Sequence, residues 1–277
     1  IGVLVIHPVW SAEPASGTPV TNIVIIEALD RGRPFWREFE EHFRRQITNI
    51  SGRPVAIYGE STDLARFPEI DYSTGHERWL RQKYASKSID AIVASAAVPV
   101  ETLLHYRERI WPRVPLLVVA APAESARALP REAGVSALLW RPDAIATVEA
   151  AKALFPATRR ILIVGGETFG DPVGAIIREK LASSPEGPEL AEPQSSTVAG
   201  VREELASLDS DTVIFFSGVY ADANAVGLGS RDVLDVLAGA ANRPVFAFSR
   251  THLGHDVVGG AMIDQAADGS AAANKVM

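Results

Sequence analysis

Apolar residues recur along this chain in two alternating rhythms. Short β-branched blocks are separated by longer segments in which apolar positions return every three or four residues. Asn22–Glu27 (NIVIIE) is a block of the first kind, and 30–34 breaks it. Phe35, Trp36, Phe39, Phe43 and Ile47 then mark one face of an amphipathic helix, with Pro34 in the first turn, where a helix tolerates it. The same reading predicts strands over Pro54–Glu60, Ile89–Ser95, Pro115–Ala121, Val135–Leu139, Arg160–Val164, Thr212–Phe216 and Val245–Phe248. Between them it predicts helices over Asp71–Ser86 (Trp79, Leu80 and Tyr84 inward), Val100–Ile110, Ala144–Leu154, Pro172–Leu181, Val201–Leu208 and Arg231–Ala241. Ser184–Pro193 reads as a proline-rich turn region, and Gln265–Met277 begins a last helix without a stop signal, so the chain is expected to continue. Strands alternating with helices imply parallel sheets built from right-handed βαβ units. There are too many such units for one comfortable sheet. The expected fold class is therefore α/β with two Rossmann-like lobes, divided near Ala121–Ser125.

The first residues stand outside this rhythm. Ile1–Val9 is mostly apolar and is followed by an aperiodic WSAEPASGTP. This reads either as the tail of a leader or anchor entering a mature N-terminus, or as an extra strand. The apolar part is too short to span a bilayer by itself.

Charge narrows the classes of partner. A formal net charge of −7 argues against nucleic-acid binding, which needs a basic face, and no Lys/Arg cluster offers itself to an anionic membrane. Cysteine is absent, which excludes disulfides, thiolate metal sites and cysteine nucleophiles while leaving the compartment open.

The candidate chemistry lies where strands end. Gly165–Gly170 (GGETFG) follows a strand and opens a helix, but it lacks both the dinucleotide-binding spacing and the P-loop lysine. It reads as a ligand-facing loop around Glu167, Thr168 and Phe169, or as a plain turn. His252, His255 and Asp256 form a weak metal-ligand set, and nothing pairs Asp171, Asp222 or Asp264 with a nucleophile. Catalysis has no support. Polar groups follow most strands: Asp30 and Arg31, Ser95, Trp140 and Arg141, Glu167 and Thr168, Ser217 and Tyr220, and Arg250, Thr251 and His252, with Ala96 and Phe169 beside them as further candidates. In a two-lobed molecule these loops converge on one cleft, the expected place for a small ligand. Arg31 and Arg250 could clamp a carboxylate bidentately, while Trp140 and Tyr220 pack on an apolar portion. Within Pro244–Gly260, Ser249–His252 is expected at the cleft and the glycine-bearing Gly254–Gly260 at a hinge.

Four segments, residues 22–47, ESTDLARFP (60–68), 134–166 and 244–273, carry a resemblance to the periplasmic sensor domains of bacterial hybrid sensor histidine kinases. These are in turn similar to type I periplasmic binding proteins of the ABC-transporter substrate-binding group. The resemblance runs from about Thr21 to the end. It implies a venus-flytrap arrangement with residues 20–121 plus 255–277 in one lobe, 122–254 in the other and 1–19 as an extension. Leu253-Gly254-His255-Asp256 departs from the glycine-rich turn of related sequences. The implied function is an extracytoplasmic, periplasmic sensor domain that closes on a small molecule and signals to a transmembrane kinase module in the parent chain. It would itself be no enzyme and need no cofactor or metal; assembly as a homodimer is left open. A solute-binding protein of an ABC transporter is the first alternative, and an α/β enzyme using His252 or His255 the second.

Overall fold

The structure, a computed structural model, describes residues 19–28, 33–63, 72–131, 134–182, 187–226 and 228–277. The elements in chain order are β1 (Thr21–Glu27), α1 (Pro34–Ile50), β2 (Val55–Ser61), α2 (Tyr72–Lys83), β3 (Ala91–Ser95), α3 (Val100–Arg109) and β4 (Leu116–Ala121). Then come α4 (Ala123–Ala128), β5 (Val135–Leu139), α5 (Ala144–Leu154), β6 (Arg160–Val164), α6 (Pro172–Ala182), β7 (Glu189–Ala191) and α7 (Val198–Leu205). The chain continues through β8 (Thr212–Phe216), the small hairpin β9 (Ala221–Asp222) and β10 (Ala225–Val226), α8 (Ser230–Ala240), β11 (Val245–Ala247) and α9 (Gln265–Val276).

Two parallel sheets carry the molecule, in the orders β2-β1-β3-β4-β5 and β11-β8-β6-β7. Their central strands carry buried apolar runs because helices cover both faces. In β1, Ile23 and Ile25 point to a cluster with Trp36, Phe39 and Phe43 of α1 and Ala272 of α9. Val24 and Ile26 point the other way, to Leu80 of α2 and Leu103 of α3. The second sheet repeats the scheme. Ile161, Ile163 and Phe215 face α5 and α6, while Leu162, Val164 and Phe216 face α7 and α8.

The fold is α/β with two lobes, as the alternation predicts, but three local expectations are corrected. The passage between lobes does not fall at Ala121–Ser125. β5 pairs with β4 in the first sheet, so the chain crosses after Leu139, through Trp140–Asp143. The short α4 fills the expected break instead. Within the Ser184–Pro193 turn region, Glu189–Ala191 pairs with β6 as an edge strand, too short to register as a periodic block. Trp79, expected inward, is 47% exposed. Leu80 of α2 and Tyr84, just past its end, face the core, and Trp79 stands one residue, about 100°, round the helix from Leu80. His76 stacks on its ring at 5.8 Å, and Lys83 Nζ lies 4.4 Å from the ring centroid.

The return crossing closes the first lobe. After β11 the chain makes a turn at Arg250–His252 and comes back alongside β11, with Ala247 N donating to Gly259 O and Ile263 N to Phe248 O. It then enters α9, capped by the Asp264 side chain, which lies against α1. Gly269 makes this contact possible, since an added Cβ would lie 2.4 Å from Phe39 O and 3.0 Å from Phe43 N. Gly269→Ala should therefore cost about 1–3 kcal/mol through overpacking, despite the better helix propensity of alanine. Urea unfolding checks this, and a stabilised variant would contradict it.

Candidate functional site

Both sheets share one topological logic. The first runs 2-1-3-4-5, and the second, read from β7, runs β7-β6-β8-β11, so chain direction reverses beside β1/β3 and beside β6/β8. Ligands of open α/β sheets bind outside the carboxyl ends of the strands at such points. In this chain those ends are Glu27–Ala28 with Ser95–Ala96 in the first lobe, and Gly165–Gly166 with Ser217–Gly218 in the second.

Among the described residues four that are not glycine have positive φ: Arg113 before β4 and Asp256 in the return crossing lie elsewhere, and the other two lie toward the carboxyl ends of first-sheet strands. Asp63 after β2 and Ala120 in β4 have positive φ values of 54° each without being glycine, and the β4–β5 register shifts between Val118 and Ala121. Such conformations cost free energy and persist where the surroundings over-determine them, as they do at ligand-binding sites. On the first lobe Ser95 is buried, its hydroxyl accepting from Ala97 N at 3.2 Å, while Ala96 N donates to Val119 O. Thr62 Oγ1 donates to Glu27 O.

In the second lobe a buried carboxylate organises the loops. Asp171, 1% exposed, accepts from Val173 N and Gly174 N at 3.0 Å each and from Gly166 N at 3.4 Å. Burial pushes its carboxyl above the usual range, opposed by hydrogen bonds from Ser217 and these backbone N–H groups. Gly165 (φ 149°) and Gly166 (φ 91°) wrap over it, and a Cβ on Gly165 would collide with Ser217 Oγ. Phe169 is core, Thr168 is exposed, and the Glu167 backbone lies in the short turn between them and Gly166. Tyr220 N donates to Phe169 O at 2.8 Å, joining this loop to the one after β8. Desolvation, and next the Asp171 charge, push the Tyr220 phenol up to about 12.

The two lobes meet over this region. The Arg33 guanidinium, just before α1, lies 4.6 Å from the Tyr220 ring centroid. Phe35 meets Trp140 edge-on at 6.3 Å. Trp140 stands at the crossing, its N–H donating to Ala121 O of the first sheet while its side chain packs on the second lobe's core. Its indole Nε1 is buried without a partner among the described residues.

The sequence-predicted residues therefore divide. Ser95, Ala96, Trp140, Ser217, Tyr220 and the Glu167–Phe169 turn lie at or just after the carboxyl ends of β3, β5, β6 and β8. Asp30 and Arg31 lie outside the described residues. Arg250 is paired with Asp264 at 2.8 Å, Thr251 Oγ1 meets Ser249 Oγ at 2.7 Å, and Gln265 Nε2 donates to Ser249 Oγ at 2.6 Å. These bonds fasten the return crossing to the start of α9, so the carboxylate clamp expected of Arg250 is already occupied by Asp264. His252 is 3% exposed and packs on Phe216, and burial holds its imidazole down to about 4. It packs into the second lobe's core. Of the expected hinge glycines, Gly260 (φ 150°) lies against Ala247, where a Cβ would come within 2.2 Å of the carbonyl oxygen.

Arg33, Phe35, Thr62 and Asp171 also stand at these strand ends and were not singled out as binding residues from the sequence. Asp171 had a readable signal, an aspartate directly before a proline that opens a helix. Arg33 had none beyond its place just before a helix, and Phe35 read only as part of that helix's apolar face. Among the described residues no group of three or more His, Cys, Asp or Glu could hold a metal ion. A small cavity of about 160 Å³ lies at the opposite, amino-terminal ends of β4 and β5, lined by Pro115, Gly134, Val135 and Lys275. Its position sets it apart from the strand-end site.

No family model matches the chain, and no curated protein matches it in sequence. Solved structures do match in fold. An "ABC domain in complex with L-Trp" from Streptococcus pneumonia gives a TM-score of 0.61 at 14% identity, over 92% of this chain and 83% of that one. A carbohydrate transporter from Acidothermus cellulolyticus 11B in complex with myo-inositol gives 0.58 at 14% identity, over 93% and 86%. A XylFII-LytSN complex gives 0.56 at 15% identity, over 93% and 92%. The chain has the two-lobed fold of the type I periplasmic binding proteins.

Proposed function

We propose that this chain is an extracytoplasmic sensor domain that binds a small molecule between its lobes and passes the closure to a histidine kinase module of its parent protein. The observation that carries the reading is the pairing of two switch points, β1/β3 and β6/β8, with side chains that meet across the lobes, Arg33 with Tyr220 and Phe35 with Trp140. Closure of two lobes on a ligand follows from a higher affinity of the closed state. The match to a XylFII-LytSN complex supports the signalling part of the reading. The matches to an L-Trp complex and a carbohydrate transporter equally favour the second reading, a solute-binding protein of an ABC transporter. The lobes of this proposal are residues 20–139 plus 264–277, and 140–263. Among the described residues no helix is long and apolar enough to cross a membrane.

The enzyme alternative gains nothing from His255. Its Nδ1 meets Asp235 Oδ1 at 2.6 Å, and its Nε2 accepts from Arg231 Nε and Nη2 at 2.9 and 2.7 Å. The ring nitrogen a general base would use is occupied by a guanidinium.

Native mass spectrometry of gently purified protein, followed by calorimetry with the released compound, tests the binding part. A single saturable site is expected, with stabilisation of about 2.7 kcal/mol at a hundredfold excess of ligand over Kd. Failure of every compound in a broad metabolite panel to shift the unfolding transition would remove the ligand reading. Autophosphorylation of the full-length parent that responds to the same compound separates sensor from transporter.

A further inference from the structure

Arg33 and Tyr220 are each held in place by their own lobe. Arg33 has φ −61° and ψ 138°, the extended conformation that a following proline enforces, and Pro34 then starts α1. Its side chain reaches across to the Tyr220 ring of the second lobe. Tyr220 is fixed from both sides, its N–H donating to Phe169 O and its C=O accepting from Leu228 N, each at 2.8 Å. Its ring lies over Gly218, where even a methyl group would come within 2.9 Å of the ring carbons. The phenol is hydrogen-bonded to Ser230, and the charge of Asp171 acts on it from within the second lobe. An anchored aromatic ring thus meets a cation delivered by the opposite lobe, 4.6 Å from the ring centroid.

The other cross-lobe ring contact, Phe35 with Trp140, involves a residue of the crossing itself, so it lies close to the axis about which the lobes would turn. Tyr220 follows β8 and moves with the second sheet. A contact to it is made or lost as a whole when the lobes rotate.

We propose that the Arg33–Tyr220 pair is a latch that biases the ligand-free protein toward the closed state. This inference rests on the two-lobed binding reading, but its test needs no ligand. A cation over an aromatic face shifts a two-state equilibrium by about 2- to 30-fold. A shift of that size sets how much closed protein exists before ligand arrives, and hence the apparent affinity of any ligand that requires closure.

The cysteine-free chain allows labels to be placed at Glu101→Cys and Glu203→Cys, exposed positions on α3 and α7 in different lobes. Single-molecule energy transfer between them then reads the open and closed populations without ligand. Tyr220→Leu and Arg33→Gln should each lower the closed-to-open ratio by about 2- to 30-fold. The double variant should fall no further than the lower single, because one interaction is being removed twice. Tyr220→Phe, which keeps the aromatic face, should retain the closed population. An unchanged ratio in either single variant, additive losses in the double, or equal loss in Tyr220→Phe and Tyr220→Leu would overturn the latch. If the latch fails while a small molecule still binds, the binding reading stands. If the populations shift as expected and nothing binds, the latch stands and that reading falls.

Discussion

Asp171→Ala is expected to lower the unfolding free energy by about 3–4 kcal/mol and to disorder the cleft loops of the second lobe. The carboxylate accepts from three backbone N–H groups in a place that water does not reach, and each donor left unpaired there costs about 1–3 kcal/mol. Part of that loss is offset, because the variant no longer buries a charge. The helix cap of α6 goes as well, since Val173 and Gly174 supply the first free N–H groups of that helix. Gly165 and Gly166 owe their left-handed conformations to being drawn over this carboxylate, so the strand-end loop should loosen with it. Asp171→Asn, which keeps one carbonyl oxygen but turns an NH₂ toward a donor, should fall between the two. Urea unfolding gives the free energy, and hydrogen exchange at Gly166 and Gly174 reports the loop. A loss below about 1 kcal/mol would show that Asp171 is not what holds it.

Acid should destabilise the protein through His252, by about 3 kcal/mol between pH 6.5 and 4. The folded imidazole is held down to about 4, first by burial and then by the charges of His255 and Arg231, while the unfolded one titrates near 6.5. Over this window the unfolded chain binds the proton and the folded chain does not. Stability is therefore complete above pH 6.5 and declines as pH falls toward 4, below which both states are protonated. Asp268 acts with the opposite sign in much of the same window. Burial and the neighbouring Asp264 raise its carboxyl to about 6, so the folded state holds its proton longer and acid favours folding there. The difference between wild type and His252→Phe isolates the histidine, and the variant should lack about 3 kcal/mol of the acid loss. A proton-resonance titration of His252 with a midpoint above 6 would contradict the assignment.

Much of the architecture was legible because burial writes a period into sequence. A strand covered on both faces reads as an unbroken apolar block, as in Asn22–Glu27 and Thr212–Phe216, and a helix on a sheet reads as one apolar stripe, as in Phe39, Phe43 and Ile47. Those signals are local. The lobe boundary was misplaced because β5 carries the same kind of block whichever sheet it joins, and only its pairing with β4 assigns it. The same limit applied to side chains at strand ends. Position after a strand marked Ser95, Trp140, Ser217 and Tyr220 for the cleft, but it marked Arg250 and His252 equally. Arg250 is taken up by Asp264, fourteen residues on, and His252 is covered by Phe216 from another strand.

By itself the sequence determined the α/β class, the alternation that demands parallel sheets, the absence of thiol chemistry and the set of loops from which a cleft would be built. Tertiary structure decided which of those loops face one another. It set Arg33 over Tyr220, buried Asp171 beneath two glycines and turned His252 into the core. The physical reason is one of range. Hydrophobic periodicity is a property of neighbouring residues, whereas a site is made by contacts between residues far apart in the chain, which exist only once two sheets have taken their places.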